Sequence, residues 1–266
     1  MITEVCRALG KEAGCFKLEY ESSVTSTNTL LKERAEKAGN GAVLIAGHQC
    51  EGRGRSGKSF FSPEGTGVYL SILLKEQEQI RDPGRLTTAA AIAACRAIED
   101  TAGVEAKIKW VNDIYVSGKK VCGILTEASL IPGSGIVAWA VVGVGFNVYA
   151  PENGFPEDLR ETAGAVAGRR RGEEDLRPAL AGAFLRELHG LLSHLQAPAL
   201  YDEYRTRCFL LGQPVFVLRG EEKIPATVVD LAPDFSLLVR YDSGRQERLC
   251  SGEISIRPAS SFFGQV

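Results

Sequence analysis

Short apolar runs, separated by glycine, proline and polar residues, recur through the first 150 residues of the chain. Runs of this length bounded by turn residues are typical of β-strands. Ser117 and Gly118 form the turn of a predicted hairpin, and a uniformly apolar run further on is typical of a strand buried on both faces. The predicted strands are residues 42–47, 68–74, 106–110, the two arms of the hairpin 113–126, and 136–142.

Helical patterns alternate with these runs. The alanine-rich stretch 84–102 has apolar residues at helical spacing, and its small side chains favour close packing against a sheet. Ser26 and Asn28 stand at the start of another helical pattern, where hydroxyl and amide side chains either cap the helix or face a pocket. The predicted helices are residues 3–9, 27–38, 84–102, 176–195 and one that begins near Leu200.

The pattern changes near residue 211. From there, short apolar runs alternate with Gly, Pro and Asp turns, which is typical of a small β-barrel or sandwich. We therefore predict a β-sheet with packed helices over residues 1–211 and a small β domain over residues 212–266. The predicted strands of the second domain are residues 215–219, 226–231, 236–241, 247–250 and 254–257.

Composition narrows the class of protein. With 44% hydrophobic and 24% charged residues, the 266-residue chain is typical of a globular protein. A net charge of −2 gives no general attraction for nucleic acid, so any anion site must be local. Seven scattered cysteines without a C-x-x-C pair argue against a disulfide framework and a zinc site, and they fit a reducing cytoplasm. No apolar run approaches the roughly 18 residues of a membrane span.

The loop at residues 52–60 combines three glycines with Arg53, Arg55 and Lys58. Glycine lets backbone N–H groups approach a ligand, and arginine binds carboxylate or phosphate through paired hydrogen bonds. The loop satisfies the P-loop pattern G-x-x-x-x-G-K-[ST], but a strand is predicted after it, whereas a P-loop precedes a helix. The kinase motifs H-R-D and D-F-G do not occur in the sequence. The loop is therefore another kind of anion site, and five glycines between 52 and 67 predict that it is mobile when empty.

Five segments in a fixed order carry a resemblance to a known family. They are Ser26-Thr27-Asn28, Gln49 with the 52–60 loop, the Lys-Trp-Val-Asn-Asp segment 109–113, the segment 120–127, and the Gly-Val-Gly-Phe-Asn segment 143–147. In this order and spacing, over about residues 22–257, the chain resembles biotin protein ligases. The resemblance implies an α+β protein whose catalytic domain is a mixed β-sheet with helices packed on it. This is a class II synthetase-like biotin/lipoate ligase fold, and an SH3-like β-barrel would follow it.

The resemblance also implies a two-step reaction. Biotin and ATP would give biotinyl-5′-AMP and pyrophosphate, and biotin would then pass to a lysine of a biotin carboxyl carrier protein. Lys109 and Arg55 are the implied catalytic residues, because cations can hold the biotin carboxylate against the triphosphate. Mg²⁺ would arrive with ATP and need few protein ligands. The implied nucleotide-binding residues are Lys58, Phe60, Asn112 and Asn147. The implied biotin-binding residues are Ser26, Thr27, Asn28, Gln49, Arg53, Gly54, Arg55, Lys109, Gly123, Gly143 and Gly145.

Some features depart from the family pattern. Val111 stands where the family has proline, Phe60 replaces a tryptophan, and Glu51 adds a negative charge beside the loop. Too few residues precede Ser23 for the N-terminal DNA-binding domain of some members, so we expect the shorter, enzyme-only type. Its partner would be a carrier domain of acetyl-CoA carboxylase or a related carboxylase, not nucleic acid or membrane, and exposed strand edges in the family also allow a homodimer. Two alternatives stay open: a lipoate–protein ligase of the same fold and a non-catalytic biotin-binding regulator.

Overall fold

The computed structural model describes residues 1–75, 82–134, 136–170 and 174–250, together with the backbone of a strand at Ser255–Pro258. The strands of its larger sheet are β1 Lys17–Glu21, β2 Ala42–Ala46, β3 Gly67–Lys75, β4 Lys107–Lys109, β5 Asp113–Val116, β6 Lys119–Leu130 and β7 Val137–Asn147. Their spatial order is β1-β2-β3-β7-β6-β5-β4, with β1 and β2 parallel and the other neighbours antiparallel. The mixed sheet is as predicted. Strand β1 was not predicted, because most of its residues are exposed and give no hydrophobic pattern.

Strands β3 and β7 lie at the centre of the sheet and are buried along most of their length. Strand β7 is longer than the predicted 136–142, since it continues through Gly143 and Gly145 to Asn147. Successive side chains of a strand point to opposite faces. Phe146 packs on Phe184 of a helix on one face, with ring centroids 5.6 Å apart, so Gly145 belongs to the other face.

Helices pack on the face of the sheet that carries Phe146. Among them, α3 begins at Pro83 with Asp82 as its cap, whose carboxylate accepts a hydrogen bond from Gly84 N at 2.8 Å. It ends at Gly103, whose φ of +64° is a conformation that glycine adopts without strain. Within the described residues, no helix is long and apolar enough to cross a membrane. The helices of this layer are α1 Ile2–Leu9, α3 Pro83–Ala102, α4 Leu176–Leu192 and α5 Pro198–Arg207.

Helix α2 packs on the opposite face of the sheet, against β3 and β7. It spans Thr27–Glu33, so the predicted helix 27–38 was too long. Residues 34–38 form turns instead, with Ala38 N donating to Arg34 O at 2.8 Å. The chain must reverse here to enter β2, and Gly41, at a φ of +78°, completes that reversal.

The C-terminal part of the chain forms a second, five-stranded sheet in the order β11-β10-β9-β8-β12, with antiparallel neighbours. It is consistent with the predicted SH3-like β-barrel. One hydrophobic core includes Ile108 and Trp110 of the first part and Val217 and Leu237 of the second, and the boundary between residues 211 and 212 stays a prediction. The strands are β8 Pro214–Arg219, β9 Glu222–Leu231, β10 Leu237–Tyr241, β11 Gln246–Leu249 and β12 Ser255–Pro258.

Candidate active site

Three glycines make one face of β6 and β7 accessible to side chains from other elements. A Cβ on Gly143 would lie 1.9 Å from Asn28 Oδ1, and a Cβ on Gly145 would lie 2.4 Å from Cε1 of Phe60. A Cβ on Gly123 would lie 3.0 Å from Cε2 of the same ring. Only glycine leaves room for these close approaches. We call Gly123, Gly143 and Gly145 the glycine floor.

Asn28 lies above the floor in a fixed orientation. Its Nδ2 donates to Leu125 O at 3.1 Å and to Glu127 Oε2 at 3.0 Å. Its Oδ1 accepts from Ser71 Oγ at 2.6 Å. Asn28 therefore faces the sheet rather than capping α2. Ser26 is the cap, since its Oγ accepts from Thr29 N at 3.5 Å. Of the two roles that the sequence allowed, Ser26 therefore caps the helix and Asn28 faces the site.

Hydrogen bonds continue from Ser71 to the loop. Ser71 Oγ lies 2.8 Å from Thr27 Oγ1, and Gln49 Oε1 accepts from both the N and the Oγ1 of Thr27, at 2.9 and 3.1 Å. Gln49 Nε2 donates to Ser62 Oγ at 2.9 Å, and that hydroxyl donates to Phe60 O at 3.0 Å. Every buried side-chain nitrogen and oxygen of the described residues has a hydrogen-bond partner. We call this continuous set the polar chain; its members are Ser62, Gln49, Thr27, Ser71, Asn28 and Glu127.

The glycine-rich loop connects two strands, as predicted. Gly54 N donates to Lys58 O at 2.7 Å, and Ser56 has a φ of 54° within a short 3₁₀ turn. Strand β3 follows, so the loop lacks the helix that a P-loop requires. Arg53 and Lys58 are exposed on this loop, whereas Arg55 is partly buried. The mobility of the empty loop stays a prediction, which hydrogen exchange would test: protection equal to that of β3 would contradict it.

Arg55 belongs to a cluster of charges beside the floor. Its Nη1 donates to Asn112 Oδ1 at 3.0 Å, and Asn112 Nδ2 donates to Ile124 O at 2.8 Å. Next to Asn112, Asp113 pairs with Lys120, with Oδ1 and Nζ 2.6 Å apart. Burial lowers the pKa of Arg55, although attraction to Asp113 opposes that shift. We call Arg55, Asn112, Asp113 and Lys120 the charged cluster; its two cations and one carboxylate leave a net positive charge that suits an anion.

Lys120 was not among the residues named from the sequence. Its Nζ would lie 3.4 Å from a Cβ on Gly123, so its ammonium borders the floor. In a regular strand, residues 120 and 123 would face opposite sides of the sheet. Here the register of β5 and β6 shifts between Ile114 and Tyr115. Because a shift of this kind breaks the alternation of side chains, Lys120 lies on the same face as Gly123. A local register shift leaves no mark in the hydrophobic pattern.

Lys109, the implied catalytic lysine, lies further out. It is on β4, the edge strand, with β5 between it and β6. Its ammonium is 5.8 Å from the centroid of the Tyr115 ring. By strand order, the backbone of Lys120 therefore lies nearer to the floor than that of Lys109, and the catalytic role of Lys109 stays a prediction.

The remaining residues named for the nucleotide are distributed around the floor. Phe60 lies on Gly123 and Gly145, and its ring meets that of Tyr69 edge to face at 6.5 Å. Asn147 follows Gly145 by two residues on β7, hence on the same face, and its Nδ2 donates to Gly164 O at 3.1 Å. The structure gathers Phe60, Asn112 and Asn147 around the floor and leaves Lys58 on the exposed loop.

The second sheet supports the segment that carries Asn112. Trp110 Nε1 donates to Phe235 O at 2.7 Å, and the hydroxyl of Tyr204 on α5 donates to Val111 O at 3.0 Å. The rings of Tyr204 and Phe235 meet edge to face, 5.4 Å apart. Burial raises the pKa of Tyr204 well above its usual value, so its hydroxyl stays protonated as a donor. Val111, which stands in place of the family's proline, is thus held by packing and by its carbonyl.

A comparison with protein-family models matches residues 20–147 to the biotin/lipoate A/B protein ligase family. That range contains the glycine floor, the polar chain, the loop and the charged cluster. It excludes the second sheet.

Curated proteins show the same similarity. The bifunctional ligase/repressor BirA of Bacillus subtilis is 36% identical over 151 residues, which cover 56% of this chain and 46% of that protein. The chain therefore matches less than half the length of that relative. The biotin–[acetyl-CoA-carboxylase] ligase of Mycobacterium tuberculosis is 30% identical over 258 residues, which cover 92% of this chain and 91% of that protein.

Among solved structures, the chain is similar to the biotin protein ligase from Aquifex aeolicus in complex with biotin and ATP. The two share 27% sequence identity and superpose with a TM-score of 0.73. The match covers 91% of this chain and 99% of the other. The similarity therefore includes both sheets.

Proposed function

The chain belongs to the biotin/lipoate A/B protein ligase family, and we propose that it is an ATP-dependent biotin protein ligase. In the first step, a carboxylate oxygen of biotin attacks the α-phosphorus of ATP, the bond from that phosphorus to the bridging oxygen breaks, and pyrophosphate leaves. In the second step, the amine of a carrier lysine attacks the acyl carbon of biotinyl-5′-AMP, and AMP leaves. Neither step needs a nucleophile from the enzyme.

The observation that carries this proposal is the position of the polar chain and the charged cluster on one face of one sheet, with the glycine floor between them. Biotin has a polar ureido head and a carboxylate at the end of an apolar tail. The head would bind to the polar chain through Thr27, Asn28 and Gln49, next to Ser26. The tail would cross the floor, and the carboxylate would reach the charged cluster, while Arg53-Gly54-Arg55 closes over the ligand.

The cations of the charged cluster would bring two anions together. A carboxylate and a triphosphate repel each other, so positive charge in a partly desolvated site lowers the cost of their approach. Arg55 and Lys120 would hold the biotin carboxylate and the α-phosphate. Lys109 would add charge from the edge strand, as the family resemblance implies.

The nucleotide would occupy the side of the floor bordered by Phe60, Asn112 and Asn147. The Phe60 ring is partly buried, and an adenine could stack on it, while Lys58 would approach the phosphates from the loop. The described residues contain no group of three or more His, Cys, Asp and Glu that could hold a metal ion. Mg²⁺ would be carried mainly by the phosphates of ATP, as the family resemblance implies.

The macromolecular partner would be a biotin carboxyl carrier domain that presents its lysine to the acyl-adenylate. The relative from Mycobacterium tuberculosis is named for acetyl-CoA carboxylase, which supports a carboxylase as the source of that domain. A cytoplasmic location and a homodimer remain predictions. The names of the relatives favour biotin over lipoate, and the charged cluster favours an enzyme over a binding regulator.

The test uses the purified chain with biotin, ATP, Mg²⁺ and a carrier domain, and it measures pyrophosphate release and the mass of the carrier. We expect release that depends on biotin, and a carrier whose mass increases by one biotinyl group. A parallel reaction contains lipoate in place of biotin. Activity with lipoate and none with biotin would contradict the proposal that biotin is the substrate. Biotin binding without pyrophosphate release would contradict the enzymatic function and favour a regulator.

A further inference from the structure

Glu127 of β6 connects three parts of the molecule through one carboxylate. Its Oε1 lies 2.6 Å from Lys32 Nζ on α2 and 3.7 Å from Arg53 Nη1 on the loop. Its Oε2 accepts the hydrogen bond from Asn28 Nδ2. The side chain is 23% exposed, so these contacts are shielded in part from solvent. The proposed reaction gives this residue no chemical step.

The contact with Asn28 decides which way that amide points. Both Nδ2 hydrogens are used, one by Glu127 and the other by Leu125 O, and both acceptors carry negative charge or a carbonyl dipole. If the amide turned over, its oxygen would face these two acceptors and its NH₂ group would face Ser71. Charge-assisted hydrogen bonds are roughly twice as strong as neutral ones, so the carboxylate contributes most to the observed orientation.

The contact with Arg53 reaches the loop that would close over the ligand. Arg53 is about half exposed, and its distance from Glu127 is longer than a hydrogen bond. Lys32 lies nearer to the same carboxylate oxygen. The pair is therefore an attraction that can tighten when the loop moves toward Glu127, which belongs to the polar chain.

We propose that Glu127 is a positioning residue that sets the affinity for biotin, by orienting Asn28 and by holding Arg53 over the head group. This inference rests on the proposed function, since it names what the end of the polar chain does for that ligand. Glu127 acts on the head group, far from the carboxylate that reacts. Its loss should therefore weaken biotin binding and leave the chemical step nearly unchanged.

The protonation state of Glu127 agrees with this role. Burial by itself raises the pKa of the carboxyl, but the hydrogen bonds from Lys32 and Asn28 more than offset burial, and the pKa lies below its usual 4.5. The group is thus ionised at neutral pH, as the orientation of Asn28 requires.

The first experiment compares Glu127→Gln with Glu187→Gln, a matched control whose carboxylate pairs with arginines in the helical layer. Biotin binding is measured by calorimetry without ATP, and kcat and KM by pyrophosphate release. Loss of one charge-assisted hydrogen bond predicts about a tenfold increase in the Kd and KM for biotin for Glu127→Gln, with kcat within about threefold of wild type. Glu187→Gln should leave the Kd and the KM for biotin at their wild-type values.

A second experiment separates positioning from simple neutralisation of Lys32. If Glu127 only balanced that ammonium, Lys32→Met would restore biotin binding to the Glu127→Gln chain. We expect the double variant to stay about tenfold weaker than wild type, because Asn28 and Arg53 still lack a negatively charged partner. Restored binding in the double variant, an unchanged KM in Glu127→Gln, or a loss confined to kcat would overturn the inference. A wild-type chain that never releases pyrophosphate would instead overturn the proposed function.

Discussion

The two ends of the candidate site are built by different physical means. At one end, the middle of the polar chain is buried: Asn28 and Ser71 are only 3% and 0% exposed, and their side chains form hydrogen bonds with other protein groups. At the other end, Lys120 and Asp113 keep 32% and 23% of their side chains exposed. The buried end can discriminate by the fixed direction of donors and acceptors, whereas the half-exposed end attracts anions by charge.

The two ends also depend on different parts of the fold. The polar chain joins Thr27 and Asn28 of α2 to Ser71 of β3 and Glu127 of β6, over the middle of the sheet. The charged cluster depends on residues 110–112, which Tyr204 and Phe235 hold from α5 and the second sheet. Changes in the middle of the sheet should therefore weaken recognition of the head group, and changes at the contact with the second sheet should weaken catalysis.

The largest expected effect lies in the charged cluster and separates Lys120 from Lys109. A lysine that contacts both reacting anions contributes charge-assisted hydrogen bonds of about 1.5–3 kcal/mol each. We expect Lys120→Gln to reduce kcat for biotin-dependent pyrophosphate release on the order of a hundredfold, and Lys109→Gln to reduce it less than about tenfold. A larger loss of kcat in Lys109→Gln than in Lys120→Gln would favour the catalytic role of Lys109 that was predicted from the sequence. It would place the reacting centre nearer the edge of the sheet.

The next effect concerns the buried end. Gly143→Ala places a Cβ 1.9 Å from Asn28 Oδ1, so Asn28 must leave its position or β7 must shift. Overpacking of this kind costs about 1–3 kcal/mol, and we expect that loss in the free energy of unfolding measured in urea, together with weaker biotin binding. Gly190→Ala is the matched control, because nothing lies within 4 Å of its added Cβ. Biotin binding by Gly143→Ala at wild-type strength would show that Asn28 does not contact the head group.

A smaller effect tests the support from the second sheet. Tyr204 and Tyr201 both lie on α5, both pack edge to face on Phe235, and both donate their hydroxyl to a backbone carbonyl. Only the carbonyl bound by Tyr204 belongs to Val111. Each Tyr→Phe change should cost about 1 kcal/mol of unfolding free energy, with more for Tyr204 because its hydrogen bond is fully buried, whereas that of Tyr201 is partly exposed.

The two variants should differ in activity. We expect Tyr204→Phe to lower kcat severalfold by loosening the segment that carries Asn112, while Tyr201→Phe keeps wild-type kcat. Stopped assays of pyrophosphate release at saturating biotin and ATP give this comparison. Equal kcat values for the two variants would mean that the second sheet stabilises the protein without positioning the cluster.

The smallest effect is on stability in acid. Burial raises the pKa of both Glu127 and Glu203, but surrounding hydrogen-bond donors more than offset burial and lower each pKa from 4.5. A carboxyl whose pKa is lowered by folding stabilises the protein above its unfolded pKa, and that contribution is lost as pH falls through the folded pKa. The free energy of unfolding should therefore decrease as the pH is lowered below about 4.5. This decrease should be smaller in Glu127→Gln and in Glu203→Gln than in the wild type. Only Glu127→Gln should also change biotin binding, because Glu203 pairs with arginines of α3 and α5.

Much of the fold could be predicted from the chain alone, because the evidence was local. Uniform apolar runs predicted β3 and β7, the alanine-rich stretch predicted α3, and Ser117-Gly118 predicted the hairpin of β5 and β6. The strand after the glycine-rich loop was enough to reject a P-loop. The order and spacing of the motifs likewise indicated the family from the sequence alone.

Other features required the tertiary structure, because they depend on contacts between residues far apart in sequence. Gly143 and Gly145 were expected beyond the end of a strand, yet they lie within β7, where they pair with β3 and β6 and where Asn28 and Phe60 cross over them. The support of residues 110–112 by Phe235 joins positions more than a hundred residues apart.

The sequence by itself determined the strand–loop–strand form of the glycine-rich loop and the resemblance to the family, since periodicity and motif spacing act over short distances. It did not reveal β1, whose parallel pairing with β2 makes the sheet mixed. Only the tertiary structure decided which lysine borders the glycine floor and which carboxylate orients Asn28. A shift in register between β5 and β6 turns Lys120 to the face of Gly123, and the packing of α2 on the sheet brings Asn28 to Glu127. Both outcomes come from how strands and helices pair in space, which no stretch of the chain specifies alone.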